Sequence, residues 1–271
     1  MSIPYAEGFM SSKGFKIHFL EWGSKGPSIV LLHSMQMDAH GFDMFSKSIS
    51  NEYRVLALDI LDHGDSEKPT RPVGLEEHAD VLREVYKKLD YCPNVLIGHS
   101  IGGMLGIILA AKYPDELLGL VLVDIAPRDP TMPPRPPRPP PPEYFANEAE
   151  AEAYVRERFP KFTQEAIENR LKYGFVKEPD GRLRLKSKGD AVRGGIDTDL
   201  WPFVERINVP TLLLAAGEGW IVTGNTIDRM RSIIPNFEAL TVEGATHMIP
   251  QDKPEEFERL VRAFLTKVRK D

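Results

Sequence analysis

Short runs of apolar residues alternate with amphipathic stretches along most of the chain. The apolar runs predict strands at 15–22, 28–33, 53–59, 94–99, 119–124, 211–216 and 237–242. Several of these runs are continuously apolar, which is typical of strands covered on both faces, as in a parallel sheet. The amphipathic stretches predict helices at 41–50, 75–89, 101–113, 223–234 and 254–268. This alternation predicts an α/β fold with a doubly wound, mostly parallel sheet.

One segment, residues 128–200, interrupts this alternation. It opens with a proline-rich run at 133–142, which excludes helix and central strand and favours an extended polyproline II path. Its further predicted elements are two helices and a hairpin with an Asp-Gly turn, at 147–159, 163–173 and 175–185. We interpret 128–200 as a cap inserted into a core formed by 1–127 and 201–271. The proline run is either a stiff linker into this cap or a ligand for an SH3 or WW domain.

Composition narrows the class of protein further. The 271 residues, 42% of them hydrophobic, are enough for one large α/β domain with a full core. A net charge of −6 argues against nucleic acid or an anionic membrane as the main partner. The single cysteine, Cys92, excludes an internal disulfide framework and most cysteine-based metal sites. The chain has no signal-peptide pattern and no apolar run near the roughly 20 residues that span a membrane, so we expect a soluble cytoplasmic protein.

The sequence Gly98-His99-Ser100-Ile101-Gly102 joins a predicted strand to a predicted helix. In this setting a G-x-S-x-G sequence holds its serine on a sharp, strained turn above the end of the sheet. The serine also precedes a helix, whose free backbone N–H groups favour developing negative charge. The pattern predicts Ser100 as a nucleophile, with a glycine-rich turn carrying a surface serine as the alternative.

A serine needs a neighbouring base and a site for the oxyanion. His247 follows the last predicted strand, and loops at the carboxyl ends of parallel strands meet at one edge of the sheet. We therefore predict His247 as the base. The N–H of Ile101, just after the serine, and that of Met35, in the loop after the strand at 28–33, are the candidate oxyanion donors. We interpret His33 as a residue that shapes this loop.

These residues resemble the α/β-hydrolase superfamily, in the cap-bearing branch of serine esterases and lactonases, over nearly the whole chain. The resemblance rests on the G-x-S-x-G sequence, on Asp62-His63-Gly64-Asp65-Ser66 and on Gly244-Ala245-Thr246-His247. It implies a serine–histidine–acid triad with neither a metal nor a cofactor. One departure is Ser34, which stands where the family usually has glycine in the oxyanion loop. Its hydroxyl is a candidate substrate contact and a candidate additional donor to the oxyanion.

The second departure concerns the acid. The family usually places an aspartate in the loop after the strand at 211–216, but that loop reads Gly-Glu-Gly-Trp here. Some members carry the acid one strand earlier, where this chain has Asp124, and we predict Asp124 as the acid that orients His247. Glu218 is the alternative acid, and Asp124 is then a loop-shaping carboxylate. Trp220 and Ile221 are candidate pocket residues, although packing under the cap also accounts for Trp220.

The resulting hypothesis is hydrolysis of a small carboxylic ester or lactone. The resemblance leaves open a cofactor-free dioxygenase, a C–C bond hydrolase and a receptor-like protein that binds a ligand without turnover. Haloalkane dehalogenases and epoxide hydrolases need a carboxylate where Ser100 stands, so their chemistry is excluded. The sequence predicts neither the identity of the substrate nor the oligomeric state.

Overall fold

A computed structural model describes residues 5–132, 140–187, 195 and 197–269. Within these residues an eight-stranded sheet has the order β1-β2-β4-β3-β5-β6-β9-β10. Its strands are β1 (Ala6–Ser12), β2 (Phe15–Trp22), β3 (Ser28–Leu32), β4 (Arg54–Leu58), β5 (Asn94–His99), β6 (Leu117–Val123), β9 (Thr211–Ala216) and β10 (Phe237–Val242). The β1–β2 and β2–β4 pairs are antiparallel and the other five pairs are parallel, so the predicted mostly parallel α/β sheet is confirmed.

Helices cover both faces of this sheet. They are α1 (Asp43–Ile49), α2 (Leu75–Lys88), α3 (Ile101–Lys112), α4 (Glu148–Arg158), α5 (Gln164–Tyr173), α6 (Trp201–Val204), α7 (Gly224–Ile233), α8 (Ile249–Asp252) and α9 (Pro254–Val268). The predicted helices are all present, and the short α6 and α8 are additional. In the ranges that the structure describes, no helix is long and apolar enough to cross a membrane.

Successive residues of the central strands supply two separate apolar cores. In β3, Val30 and Leu32 belong to the cluster that includes α2 and α3, whereas Ile29 and Leu31 belong to the cluster that includes α1 and α9. All four side chains are fully buried. Burial on both faces explains why these strands are continuously apolar instead of alternating with polar residues.

The edge strand β1 was not predicted. It forms a hairpin with β2 through Lys13 and Gly14, which both have positive φ angles of 47° and 86°. Positive φ at both turn residues is the geometry of a type I′ hairpin, usually signalled by Asn-Gly or Asp-Gly. Most of β1 is exposed or half-buried, and Phe9 is 46% exposed. The strand therefore lacks the apolar pattern on which sequence prediction depends.

The residues between β6 and β9 form a smaller apolar cluster. It joins α4 and α5 to the predicted hairpin, now β7 (Phe175–Lys177) and β8 (Leu183–Leu185), and it takes in Met37 and Met248 from the core. These elements therefore pack on the loops after β3 and β10. Residues 133–139 of the proline-rich run lie outside the described residues, and the boundaries of the cap at 128 and 200 stay a prediction.

Polar contacts also join this segment to the core. Arg170 of α5 lies 3.3 Å from the Asp38 carboxylate, and both side chains are buried. The neighbouring Asn169 donates a hydrogen bond of 3.0 Å from Nδ2 to Asp43. Breaking a buried ion pair leaves one charge without a partner, which is strongly destabilising. The α5 helix is therefore held firmly on the segment that follows the oxyanion loop.

Four histidines with lowered pKa values are buried in the core. Burial disfavours the imidazolium, so it lowers the pKa of His33 to about 3 and holds those of His63, His78 and His99 below the usual 6.5. In the unfolded chain these histidines bind protons near their ordinary pKa, whereas in the folded chain they stay neutral. The free energy of unfolding therefore falls as the pH drops below about 6.5. For His33 this amounts to about 1.4 kcal/mol per pH unit. His18 opposes this trend: burial lowers its pKa, but the hydrogen bonds to Asp59 and Glu7 and the nearby carboxylate charges together outweigh burial and raise it.

We predict that His78→Leu makes the free energy of unfolding less dependent on pH between about pH 7.5 and about pH 5.5, because one lowered pKa is removed. Urea unfolding at several pH values measures this slope. Glu76→Gln, on the exposed side of the same helix, is the control and should keep the wild-type slope. An unchanged slope in His78→Leu would show that this histidine does not contribute to acid lability.

Candidate active site

Ser100 occupies a strained backbone conformation between β5 and α3. Its φ of 53° and ψ of −116° lie outside the regions that residues with a side chain usually adopt. The turn is held on both sides. The Ser100 N–H donates to the carbonyl of Val123 at 3.1 Å, and the Ser100 carbonyl accepts from Gly103 at 2.9 Å and Met104 at 3.0 Å. The strain is thus maintained by the neighbouring strand and helix, as a nucleophile elbow requires.

The glycines on either side of Ser100 allow very close packing. A Cβ on Gly98 would lie 2.4 Å from the carbonyl oxygen of Gly102, and a Cβ on Gly102 would lie 2.2 Å from that of Leu32. Neither contact is possible for a side-chain atom. The first turn of α3 therefore lies directly against the end of β3, which places the oxyanion loop beside Ser100.

His247 and Asp124 form a direct hydrogen bond. His247 Nδ1 lies 2.7 Å from Asp124 Oδ2, and Asp124 is fully buried. A carboxylate only accepts, so Nδ1 carries the proton and Nε2 is the ring nitrogen that can take up another. The other oxygen of Asp124, Oδ1, accepts from the N–H of Ala216 at 2.9 Å. The structure thus brings together the predicted base and acid, while their catalytic roles stay a prediction.

Glu218, the alternative acid, lies in a different contact. Its carboxylate pairs with Lys161 and is half exposed. At Gly219, in the loop where the family usually has its acid, an added Cβ would lie 3.1 Å from Asp124 Oδ1. A side chain that follows β9 would therefore enter the same position beside His247 as one that follows β6, and the Asp124 carboxylate already occupies it. This explains physically how the acid can move by one strand while the histidine keeps its partner.

His99 is a site residue that sequence reasoning did not single out. Its Nε2–H donates a hydrogen bond of 2.7 Å to the main-chain carbonyl of His247, and the two rings lie 5.0 Å apart. Burial, together with the nearby His247, holds the pKa of His99 well below its usual value, so its ring is neutral. Its only sequence signal was its place in the G-x-S-x-G sequence, where any residue is allowed. His99 thus holds the main chain of the predicted base.

The predicted oxyanion loop, which follows β3, is fixed by His33. The N–H of Ile60 donates to His33 Nε2 at 3.0 Å, so Nδ1 carries the proton and donates to the carbonyl of Ser34 at 2.8 Å. The N–H of Met37 donates to the same carbonyl at 3.1 Å. In a trans peptide the N–H points away from the preceding C=O, so the Met35 N–H is turned away from His33. The structure agrees with His33 as a loop-shaping residue.

Two predicted oxyanion donors keep their N–H groups available. Within the part of the chain that the structure describes, the N–H of Met35 and that of Ile101 make no hydrogen bond. Both follow segments that are held in place, by His33 in one case and by the elbow in the other. Backbone donors that are fixed before substrate arrives are the feature that an oxyanion hole needs.

The predicted pocket residues lie in the loop after β9. Trp220 is 42% exposed, and Ile221 packs, with Met35, against the core cluster that includes α3. The end of this loop is held by Asp129, which accepts a hydrogen bond of 2.8 Å from the Thr223 hydroxyl. Hydrogen bonds from Thr131 and then Thr223 lower the pKa of Asp129 to about 2. Asp129 thus ties the loop after β6 to the loop after β9.

Comparison with known proteins identifies the family of the fold. The α/β hydrolase fold family matches residues 27–254. The 2-(acetamidomethylene)succinate hydrolase of Mesorhizobium japonicum is 25% identical over 236 residues, which cover 85% of this chain and 84% of that protein. An sn-1-specific diacylglycerol lipase of Mus musculus is 29% identical over 251 residues, which cover 88% of this chain and 81% of the lipase.

Solved structures extend this similarity to the whole fold. The crystal structure of E-2-(acetamidomethylene)succinate hydrolase has a TM-score of 0.85 at 22% identity, and the match covers 97% of this chain and 100% of that one. A thioesterase domain from the curacin biosynthetic pathway has a TM-score of 0.82 at 18% identity, covering 96% and 99%.

The chain belongs to the α/β hydrolase fold family. Most of the matched relatives are hydrolases, and they differ in substrate, as the succinate-derivative hydrolase and the lipase illustrate. Family membership therefore supports hydrolysis and leaves the bond that is cleaved to the site itself.

We predict that Gly102→Ala lowers the free energy of unfolding by about 1–3 kcal/mol, because its methyl group collides with backbone at the end of β3. Urea unfolding measures the loss. Gly224→Ala is the matched control, since a Cβ there meets nothing within 4 Å and alanine favours the helix that begins at this residue. Equal stability of the two variants would contradict the close packing of α3 on β3.

Proposed function

We propose that the protein is a serine hydrolase that cleaves a small carboxylic ester or lactone through an acyl-enzyme on Ser100. The observation that carries this proposal is the 2.7 Å hydrogen bond between His247 and the buried Asp124 at the sheet edge that also bears Ser100. A serine, a histidine and an acid that orients the histidine form the set that acyl transfer requires.

In the first half of the reaction, Ser100 Oγ attacks the carbonyl carbon and His247 Nε2 takes its proton. The π electrons of the carbonyl move to its oxygen, and the N–H groups of Met35 and Ile101 donate to that oxyanion. Asp124 accepts from Nδ1–H throughout and stabilises the imidazolium. His247 then gives the proton to the leaving alkoxide, and the alcohol departs from the acyl-enzyme.

In the second half, water attacks the acyl carbon. His247 Nε2 removes a proton from the water, and the same two N–H groups hold the new oxyanion. Collapse of this intermediate breaks the bond to Ser100, which regains its proton from His247. The products of this half are a carboxylic acid and free enzyme, and water is the only reactant that it consumes besides the acyl-enzyme.

Ser34, Trp220 and Ile221 are the residues that we propose contact the substrate. The cap over 128–200 is proposed to close the pocket, because its described elements pack on Met37 and Met248, next to the oxyanion loop and to His247. The lipase relative supports an ester substrate. Cofactor-free oxygenation, C–C bond hydrolysis and ligand binding without turnover are the competing readings.

Hydrolysis of p-nitrophenyl acetate and butyrate tests the proposal. Wild type should turn these esters over, and Ser100→Ala should lose all activity above background, because the nucleophile is gone. Asp124→Asn should lower kcat by about 10³–10⁴-fold, since the histidine then adopts the wrong tautomer. The matched control is Glu218→Gln, which should stay within about twofold of wild type because its partner is Lys161.

Two outcomes would contradict this scheme. A large loss in Glu218→Gln with an active Asp124→Asn would assign the acid to Glu218. Wild type without any turnover of esters or lactones would favour the competing functions. Incubation with a 1,5-diketone then tests C–C bond hydrolysis, and measurement of oxygen uptake tests cofactor-free oxygenation.

A further inference from the structure

The hydroxyl of Ser34 is buried and has no hydrogen-bond partner. Ser34 is 3% exposed, and its Oγ is among the few buried polar side-chain atoms that make no hydrogen bond in the described part of the chain. Buried hydroxyl groups nearly always find a partner, because leaving one unpaired destabilises the folded protein. An unpaired hydroxyl in this position therefore calls for an explanation.

The main chain around this hydroxyl is rigid. His33 Nδ1 and the N–H of Met37 both donate to the Ser34 carbonyl, at 2.8 Å and 3.1 Å. The lowered pKa of His33, about 3 because of burial, keeps the ring neutral and its donor in place. The hydroxyl can therefore change its direction only by rotation about χ1 and about its own Cβ–Oγ bond, and it is held ready before any ligand binds.

This rigid segment lies beside the nucleophile. A Cβ on Gly102 would lie 2.2 Å from the carbonyl oxygen of Leu32 and 2.8 Å from that of His33. The residue that precedes Ser34 is thus in contact with the first turn of α3, which begins directly after Ser100. The residue that follows Ser34 is Met35, the candidate backbone donor. Ser34 therefore sits between the two halves of the proposed oxyanion hole.

We propose that Ser34 Oγ is a third oxyanion donor, a catalytic residue that this chain has in place of the glycine expected there. The inference rests on the proposed function. When Ser100 attacks, the carbonyl oxygen gains a full negative charge, and three donors can then contact it. Met35 and Ile101 supply two N–H groups, and the Ser34 hydroxyl supplies the third. Its proton is donated in a hydrogen bond and is not transferred.

The unpaired state of the free enzyme is what makes such a donor effective. A hydroxyl without a partner gives up no protein hydrogen bond when the oxyanion forms, so its contribution appears in the transition state rather than in the resting enzyme. The same reasoning predicts a characteristic pair of effects on removal of the hydroxyl. The rate should fall, and the stability of the folded protein should stay equal or rise.

The test compares Ser34→Ala and Ser34→Thr with wild type on p-nitrophenyl acetate. Ser34→Ala should lower kcat by about 10- to 100-fold with KM within about threefold, and its melting temperature should not fall. Ser34→Thr keeps a hydroxyl and should recover part of the lost rate. Ser46→Ala is the matched control, because Ser46 is fully buried and its Oγ is also unpaired, but it lies on α1. That variant should keep the wild-type kcat.

A second measurement separates catalysis from structure. Butylboronic acid forms a tetrahedral adduct with an active serine and places an oxygen where the oxyanion lies, whereas butyrate resembles the product. Ser34→Ala should weaken inhibition by the boronate by the same factor as kcat and leave inhibition by butyrate unchanged. A structural role would instead lower the melting temperature and change both inhibition constants together.

The outcomes also distinguish this inference from the function on which it rests. If wild type turns over the ester and binds the boronate, Ser100→Ala does neither, and Ser34→Ala equals wild type in both, then the third donor is wrong and the serine hydrolase stands. If wild type neither turns over esters nor binds the boronate, both proposals are overturned.

Discussion

The contact between the first turn of α3 and the carboxyl end of β3 is the constraint on which the site depends. At residue 102 the two backbones are so close that an added Cβ would lie 2.2 Å from the carbonyl oxygen of Leu32. Helix α3 is buried from Ile101 to Ala111, so it cannot move away without opening the core. The position of Ser100 relative to the loop after β3 is therefore set by packing in the centre of the protein. The conformation of exposed loops has little part in it.

The sequence predicts the scaffold well because its signal is local. Each central strand contributes to two apolar cores, and the resulting apolar runs are visible without knowledge of the fold. The edge strand β1 has no such run, since its outer residues face solvent and only its pairing with β2 defines it. The short α6 was missed for a related reason. It spans four residues and includes Pro202, so it has no helical period to detect.

The site itself was predictable only where one element defines a residue. Ser100 and His247 follow directly from the order of strands and motifs. The choice between Asp124 and Glu218 as the acid could not be predicted from the sequence, because both residues follow strands that end at the same edge of the sheet. The choice depends on where each side chain is directed. The carboxylate of Glu218 pairs with Lys161, which lies more than fifty positions away along the chain. The hydrogen bonds of His99 and Asp129 likewise join loops that are distant in sequence.

The hydrogen bond from His99 to the main chain of His247 has a consequence for how such a site can diversify. The residue next to the proposed nucleophile holds the segment that carries the proposed base, so the spacing of these two groups is set from within the core. The loop that carries Trp220 is tied at its end to Asp129, through Thr223, and at its beginning to the His247 segment, through the hydrogen bond from the Glu218 N–H to the carbonyl of Ala245. Substitutions from Trp220 onward therefore leave in place the hydrogen bonds that hold the main chain of Ser100 and of His247. In the proposed hydrolase, a pocket built in this way can exchange one acyl group for another in small steps, with the proposed chemistry retained at each step.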